Sequence, residues 1–89
     1  MKKLISKIRV KNSSGIHTRP ATCIVKLLHN CKSNVHFTHK RDTVNAKSLL
    51  SILMLALHKN AQLTITVDGE DAEETMNKLL KAFDNNFGE

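Results

Sequence analysis

The sequence predicts an α+β fold: an open-faced β-sandwich, with a four-stranded antiparallel sheet and three helices on one face, in the order βαββαβα. Three observations predict it. Apolar residues recur at period two in segments such as Leu63, Ile65 and Val67, the mark of a half-buried strand. They recur at helical spacing in Ala21, Ile24, Val25 and Leu28, the mark of an amphipathic helix. The chain has 89 residues, which suits one domain with one modest core.

Each element has its own local cause. Lys3–Val10 places Leu4, Ile8 and Val10 on one side and Lys7 and Arg9 on the other, a first strand. Asn12-Ser13-Ser14-Gly15 is loop chemistry. A first helix is expected from about Arg19 to His29, ending near Asn30. Pro20 fits its first turn, where backbone N–H groups lack intrahelical partners. Asn34–Thr38 reads as a second strand through Val35 and Phe37, and Thr43-Val44-Asn45 as its return after the polar turn Lys40-Arg41-Asp42. Ser48 can cap a second helix, Leu49–Leu57. Ala61–Asp68 is a fourth strand, stopped at Asp68-Gly69. Asp71 and Glu74 then have the spacing of a capping box. Ala72, Met76, Leu79, Leu80, Phe83 and Phe87 form the apolar stripe of a long final helix. Acidic residues crowd its start, with Lys78 and Lys81 further along, as the helix dipole favours.

Composition narrows the function. No apolar run approaches the roughly 20 residues that span a bilayer. The stretch Met1-Lys2-Lys3-Leu4-Ile5-Ser6-Lys7 carries charge without a following apolar core, so it does not read as a signal peptide. A cytoplasmic location is expected. Cys23 and Cys31, if both lie on the first helix, stand about 12 Å apart along its axis. That exceeds the roughly 7 Å a disulfide tolerates between Cα atoms, so two free thiols are expected. The net charge is +6. No basic helix stripe and no interleaving of aromatics with Lys or Arg accompanies it, so acidic partner proteins are favoured over nucleic acid.

The chemistry concentrates in Gly15-Ile16-His17-Thr18-Arg19-Pro20-Ala21. The segment places a histidine at the mouth of a helix, where free N–H groups and the positive dipole end gather. Imidazole is nucleophilic when neutral, and that helix end opposes the imidazolium. The same end stabilises an anion added to the ring. Arg19 offers a planar donor fork suited to phosphoryl oxygens. Gly15 frees the loop backbone. A phosphorylatable histidine at a shallow, exposed site follows. The plain alternative is an ordinary N-cap histidine beside a solvated arginine. His36 and His39 are expected on opposite strand faces, and His29 and His58 near helix C-termini. The cysteine spacing matches no zinc motif. Neither a metal nor a cofactor is expected.

The chain resembles the HPr family, the histidine-containing phosphocarriers of the phosphoenolpyruvate-dependent sugar phosphotransferase system. The first motif is similar to that family's active-site signature. Val44-Asn45-Ala46-Lys47-Ser48-Leu49 is similar to its regulatory-serine segment. The resemblance implies that His17 accepts a phosphoryl group on Nδ1 from enzyme I and passes it to the IIA domain of a sugar permease, with Arg19 assisting. It implies that Ser48 is the target of an HPr kinase/phosphorylase in lineages that have one. Ser51 and Ala56 stand where the family often has glycine.

Leu49–Leu57 is apolar nearly all round, and a helix on an open sandwich buries only one side. Leu49, Leu50 and Leu53 are therefore expected in an interaction patch, by resemblance to the family's docking surface, with Thr22 and Cys23 as lesser members. The expected protein is a monomeric carrier, not an enzyme in its own right. The alternative is a regulatory paralogue that acts through Ser48 and protein binding and does not feed sugar uptake.

Overall fold

Side-chain alternation along the strands decides which face of the sheet is dry. The computed structural model describes residues 2–89; Met1, the first residue of the stretch considered above as a leader, lies outside them. Strands β1 (Lys2–Arg9), β2 (Asn34–His39), β3 (Asp42–Asn45) and β4 (Gln62–Gly69) form one antiparallel sheet in the order β1-β4-β2-β3. Leu63, Ile65 and Val67 of β4 are buried, as are Val35 and Phe37 of β2 beside them. Between these positions the side chains turn to the other face. There Ile5, Thr66, His36 and Asn45 lie in one cross-strand row. Three helices cover the apolar face: α1 (Thr18–Leu28), α2 (Leu49–Met54) and α3 (Ala72–Asp84). This is the predicted βαββαβα order.

The helices meet the sheet through the stripes read from the sequence. Ala21, Ile24 and Leu28 of α1 and Ala72, Met76, Leu79 and Phe83 of α3 are buried in one core. Phe83 packs edge-on against Phe37 and Phe87, with ring centroids 6.0 and 4.8 Å apart. Both cysteines are half-buried free thiols, but Cys31 lies past the end of α1 at Leu28, so the helix spacing is not what keeps them apart. No helix among the described residues is long and apolar enough to cross a membrane.

Three expectations need correction. The second helix stops at Met54, not Leu57. Ala56 takes a left-handed conformation (φ +51°), and its N–H bonds to Leu53 O at 3.1 Å, which closes the helix. An apolar run cannot show such a stop, because Leu55 and Leu57 stay buried on either side of it. The final helix ends at Asp84, and Phe87 reaches the core from a short 3-10 turn, Asn86–Gly88. The capping box does not form. Asp71 is the N-cap of α3, but its carboxylate accepts bonds from Lys32 N, Ser33 N and Ser33 Oγ, while Glu74 pairs with Lys78. Gly69 lets the Ser33 loop come this close, since a Cβ there would lie 2.6 Å from Ser33 Cα. The remaining boundaries fall within about a residue of those expected.

Candidate functional site

The loop from Val10 to Ile16 delivers a histidine to the start of α1. Val10 N bonds to Ala61 O, and Ile16 N bonds to Leu57 O at 2.8 Å, so both ends of the loop are fixed to the segment before β4. Gly15 makes the second junction possible. It sits at φ +71°, and a Cβ would fall 2.2 Å from Leu57 O. A side chain at this position would force the two segments apart.

His17 is the N-cap of α1, with extended backbone angles (φ −91°, ψ −167°) and no side-chain capping bond. Its carbonyl accepts the Ala21 N–H at 3.0 Å. Pro20 has no N–H, so the free donors of the first turn are those of Thr18 and Arg19. No acidic residue occupies that turn. The imidazole is 43% exposed, and its Nε2 lies 3.1 Å from Glu89 Oε2. Asn12 holds the carboxylate from the other side, donating Nδ2 to Glu89 Oε1 (2.8 Å) and to Asn86 O (3.3 Å). His17, Asn12, Ser13, Ser14 and Glu89 line a shallow, polar, open depression.

This geometry orients the ring. A neutral imidazole carries one N–H and one lone pair. In that neutral form, a proton on Nε2 would face Glu89 and leave the lone pair on Nδ1. Arg19 is exposed on the same helix end and makes no ion pair among the described residues. A larger groove between β1 and α3 is apolar and lacks His17.

The second predicted residue, Ser48, caps α2. Its Oγ accepts the Ser51 N–H at 3.3 Å, and its own N–H bonds to Asn45 O. Beyond it, Leu50 and Met54 are 68% and 75% exposed and Leu49 38%, on a helix that packs against α1. Leu53 is partly buried against the core. Thr22 and Cys23 are half-buried on α1, and Thr22 Oγ1 is engaged with Thr18 O. Sequence reading missed Asn12, Glu89 and Met54. Met54 was detectable, since it stands four residues from Leu50 on one helix face. Asn12 and Glu89 meet only through the folded chain.

Fold and site together define a class: a small open-sheet protein presenting one histidine, without a pocket of its own, at a helix N-terminus. Comparison with known proteins makes the class specific. Residues 5–85 match the family model PTS-HPr, "PTS HPr component phosphorylation site". The chain is 42% identical over 80 residues to the phosphocarrier protein HPr of Chlamydia pneumoniae, covering 90% of this chain and 74% of that one. It is 44% identical over 80 residues to the HPr of Chlamydia muridarum, covering 90% and 77%. Its structure superposes on the crystal structure of HPr-C-His from Thermoanaerobacter tengcongensis with a TM-score of 0.90 at 30% identity, covering 100% and 98% of the two chains. The chain belongs to the HPr phosphocarrier family of the phosphotransferase system.

Proposed function

We propose that this chain is a single-domain, monomeric cytoplasmic carrier that takes a phosphoryl group from phospho-enzyme I onto His17 and passes it to IIA domains of sugar permeases. The observation that carries this reading is His17 as the N-cap of α1, with Nε2 3.1 Å from Glu89 Oε2 and no side-chain capping bond. The Nδ1 lone pair attacks phosphorus and the bond to the donor's group breaks. Glu89 steadies the positive charge that develops on the ring, and the N–H groups of Thr18 and Arg19 receive the incoming phosphoryl oxygens. Arg19 adds a guanidinium fork once a partner has closed over the site. The negative charge of Glu89 near the phosphorylated ring opposes retention, which suits a group that must be passed on. The chain needs no cofactor for this and turns nothing over alone, because the donor and acceptor supply the rest of the active site.

Ser48 is proposed as a regulatory phosphorylation target of an HPr kinase/phosphorylase. Ser48 lies one residue before Leu49 and two before Leu50, so a phosphate on its Oγ adds about two negative charges at the edge of the proposed docking patch. Leu49, Leu50, Leu53, Thr22 and Cys23 are its proposed members, and Met54 joins them by exposure.

The test is incubation with enzyme I and phosphoenolpyruvate, followed by mass spectrometry before and after mild acid. The expected result is one acid-labile phosphoryl group on wild type and none on His17→Ala. An acid-stable label that persists in His17→Ala would refute the histidine reading and favour a serine-centred regulator.

A further inference from the structure

The sheet has two edges, and they differ. β3 is four residues long, whereas β1 runs for eight, Lys2–Arg9, in unbroken register with β4 and without proline or bulge. Half of the β1 backbone N–H and C=O groups therefore point away from β4 with no strand to receive them. A groove lies beside this edge. Ile8, Leu80 and Phe83 form its apolar floor, Lys11, Lys81 and Asp84 stand on its rim, and Arg9 borders it at the strand, its guanidinium directed to Asn60 O at 3.1 Å. Lys11 is paired with Asp84 at 2.8 Å. Lys3, Lys7, Arg9 and Lys81 make no ion pair among the described residues.

Charge says what the edge can accept. β1 carries Lys2, Lys3, Lys7 and Arg9 and no acidic residue. A second copy pairing antiparallel along it would set cation against cation, so the edge is protected against itself. An acidic strand meets no such barrier. Register then fixes the pattern. Lys3, Ile5, Lys7 and Arg9 project on the open face, while Leu4, Ser6 and Ile8 project on the helix side, toward the groove. A strand laid alongside would present alternate side chains to each.

We propose that the free edge of β1 takes an extended peptide segment of alternating acidic and apolar residues, added as a fifth strand. Its apolar side chains enter the groove over Ile8, Leu80 and Phe83, and its carboxylates meet Lys3, Lys7 and Arg9 on the open face. The backbone supplies the common hydrogen bonds and the two rows of side chains supply the choice of partner. His17 does not line this groove, although Lys11 borders both the groove and the depression around His17.

The probe is a capped eight-residue peptide of alternating Val and Glu, titrated into the ¹⁵N-labelled protein at low salt. Saturable shifts along Lys2–Arg9, with slowed exchange of every second β1 amide, are expected. Affinity should fall at least tenfold in Lys7→Glu/Arg9→Glu. It should fall too in Leu80→Glu, a helix substitution that puts a charge on the groove floor and leaves the sheet untouched. A capped Gly-Glu peptide of equal length and charge should bind at least tenfold more weakly. Equal binding of that control, shifts gathered around His17, no saturation at millimolar peptide, or a free protein already dimeric through β1 would each overturn the proposal.

Discussion

The N-termini of α1 and α2 are built alike and finished differently. Each begins at a residue in extended conformation whose carbonyl accepts the first helical bond, at 3.0 Å for His17 and 3.1 Å for Ser48. Ser48 turns its hydroxyl inward and satisfies the Ser51 N–H. His17 turns its ring outward to Glu89 and leaves the Thr18 and Arg19 donors unfilled. One end is closed by its own side chain and the other is left open to an anion. The α1 start is available as the proposed phosphoryl site because its cap residue makes no capping bond. Pro20 narrows the opening to two donors, and the absence of acid in the first turn keeps it clear.

The contrast can be broken or sharpened by substitution. The largest effect falls on His17→Ala, which should abolish phosphoryl acceptance while shifting stability by no more than about 0.5 kcal/mol, since an exposed pair is lost but no cap. Transfer assays and urea unfolding on the same sample separate the two effects. Next, Leu50→Glu should raise the apparent KM for the phosphoryl donor about tenfold with the fold intact, as expected for an exposed apolar contact in a docking surface. Unaltered steady-state kinetics would remove Leu50 from the patch. Ser48→Ala should do the reverse of His17→Ala: about 1 kcal/mol of stability lost with the cap, and phosphoryl acceptance at His17 retained.

The third helix start gives the smallest effect and a pH signature. Asp71 lends its carboxylate to the Lys32–Ser33 loop, and the bond from the Lys32 N–H, with those from Ser33, lowers its pKa from 3.8 to about 2. A lowered carboxylate contributes stability above its unfolded value and loses it as pH falls toward the folded one. Between about pH 4 and pH 2 the wild type should therefore lose this contribution, and Asp71→Asn should show a shallower acid decline from a lower starting stability. Parallel declines in acid unfolding curves would show that the clamp adds nothing.

The sequence carried the fold because its signals are local. Leu63, Ile65 and Val67 alternate whatever lies around them, and Ala21, Ile24 and Leu28 mark one helix face. His17 and Ser48 were legible for the same reason, since helix starts are written in neighbouring residues. Contacts across the chain were not. Asp71 and Glu74 satisfied a local rule, yet Asp71 answered to Ser33, 38 positions away. Asn12 and Glu89 reach each other across 77 positions, and no periodicity encodes that pairing. The early end of α2 was hidden because Ala56 adopts a left-handed turn that alanine seldom signals.

The most direct test of the contrast is a ¹H–¹⁵N spectrum of the protein before and after phosphorylation of His17. The largest downfield amide shifts should fall on Thr18 and Arg19, the two open donors of α1, while the Ser51 amide at the closed start of α2 stays in place. Large shifts at Ser51 with Thr18 and Arg19 unmoved would contradict it, because the phosphoryl group would then lie away from the helix end that defines the site.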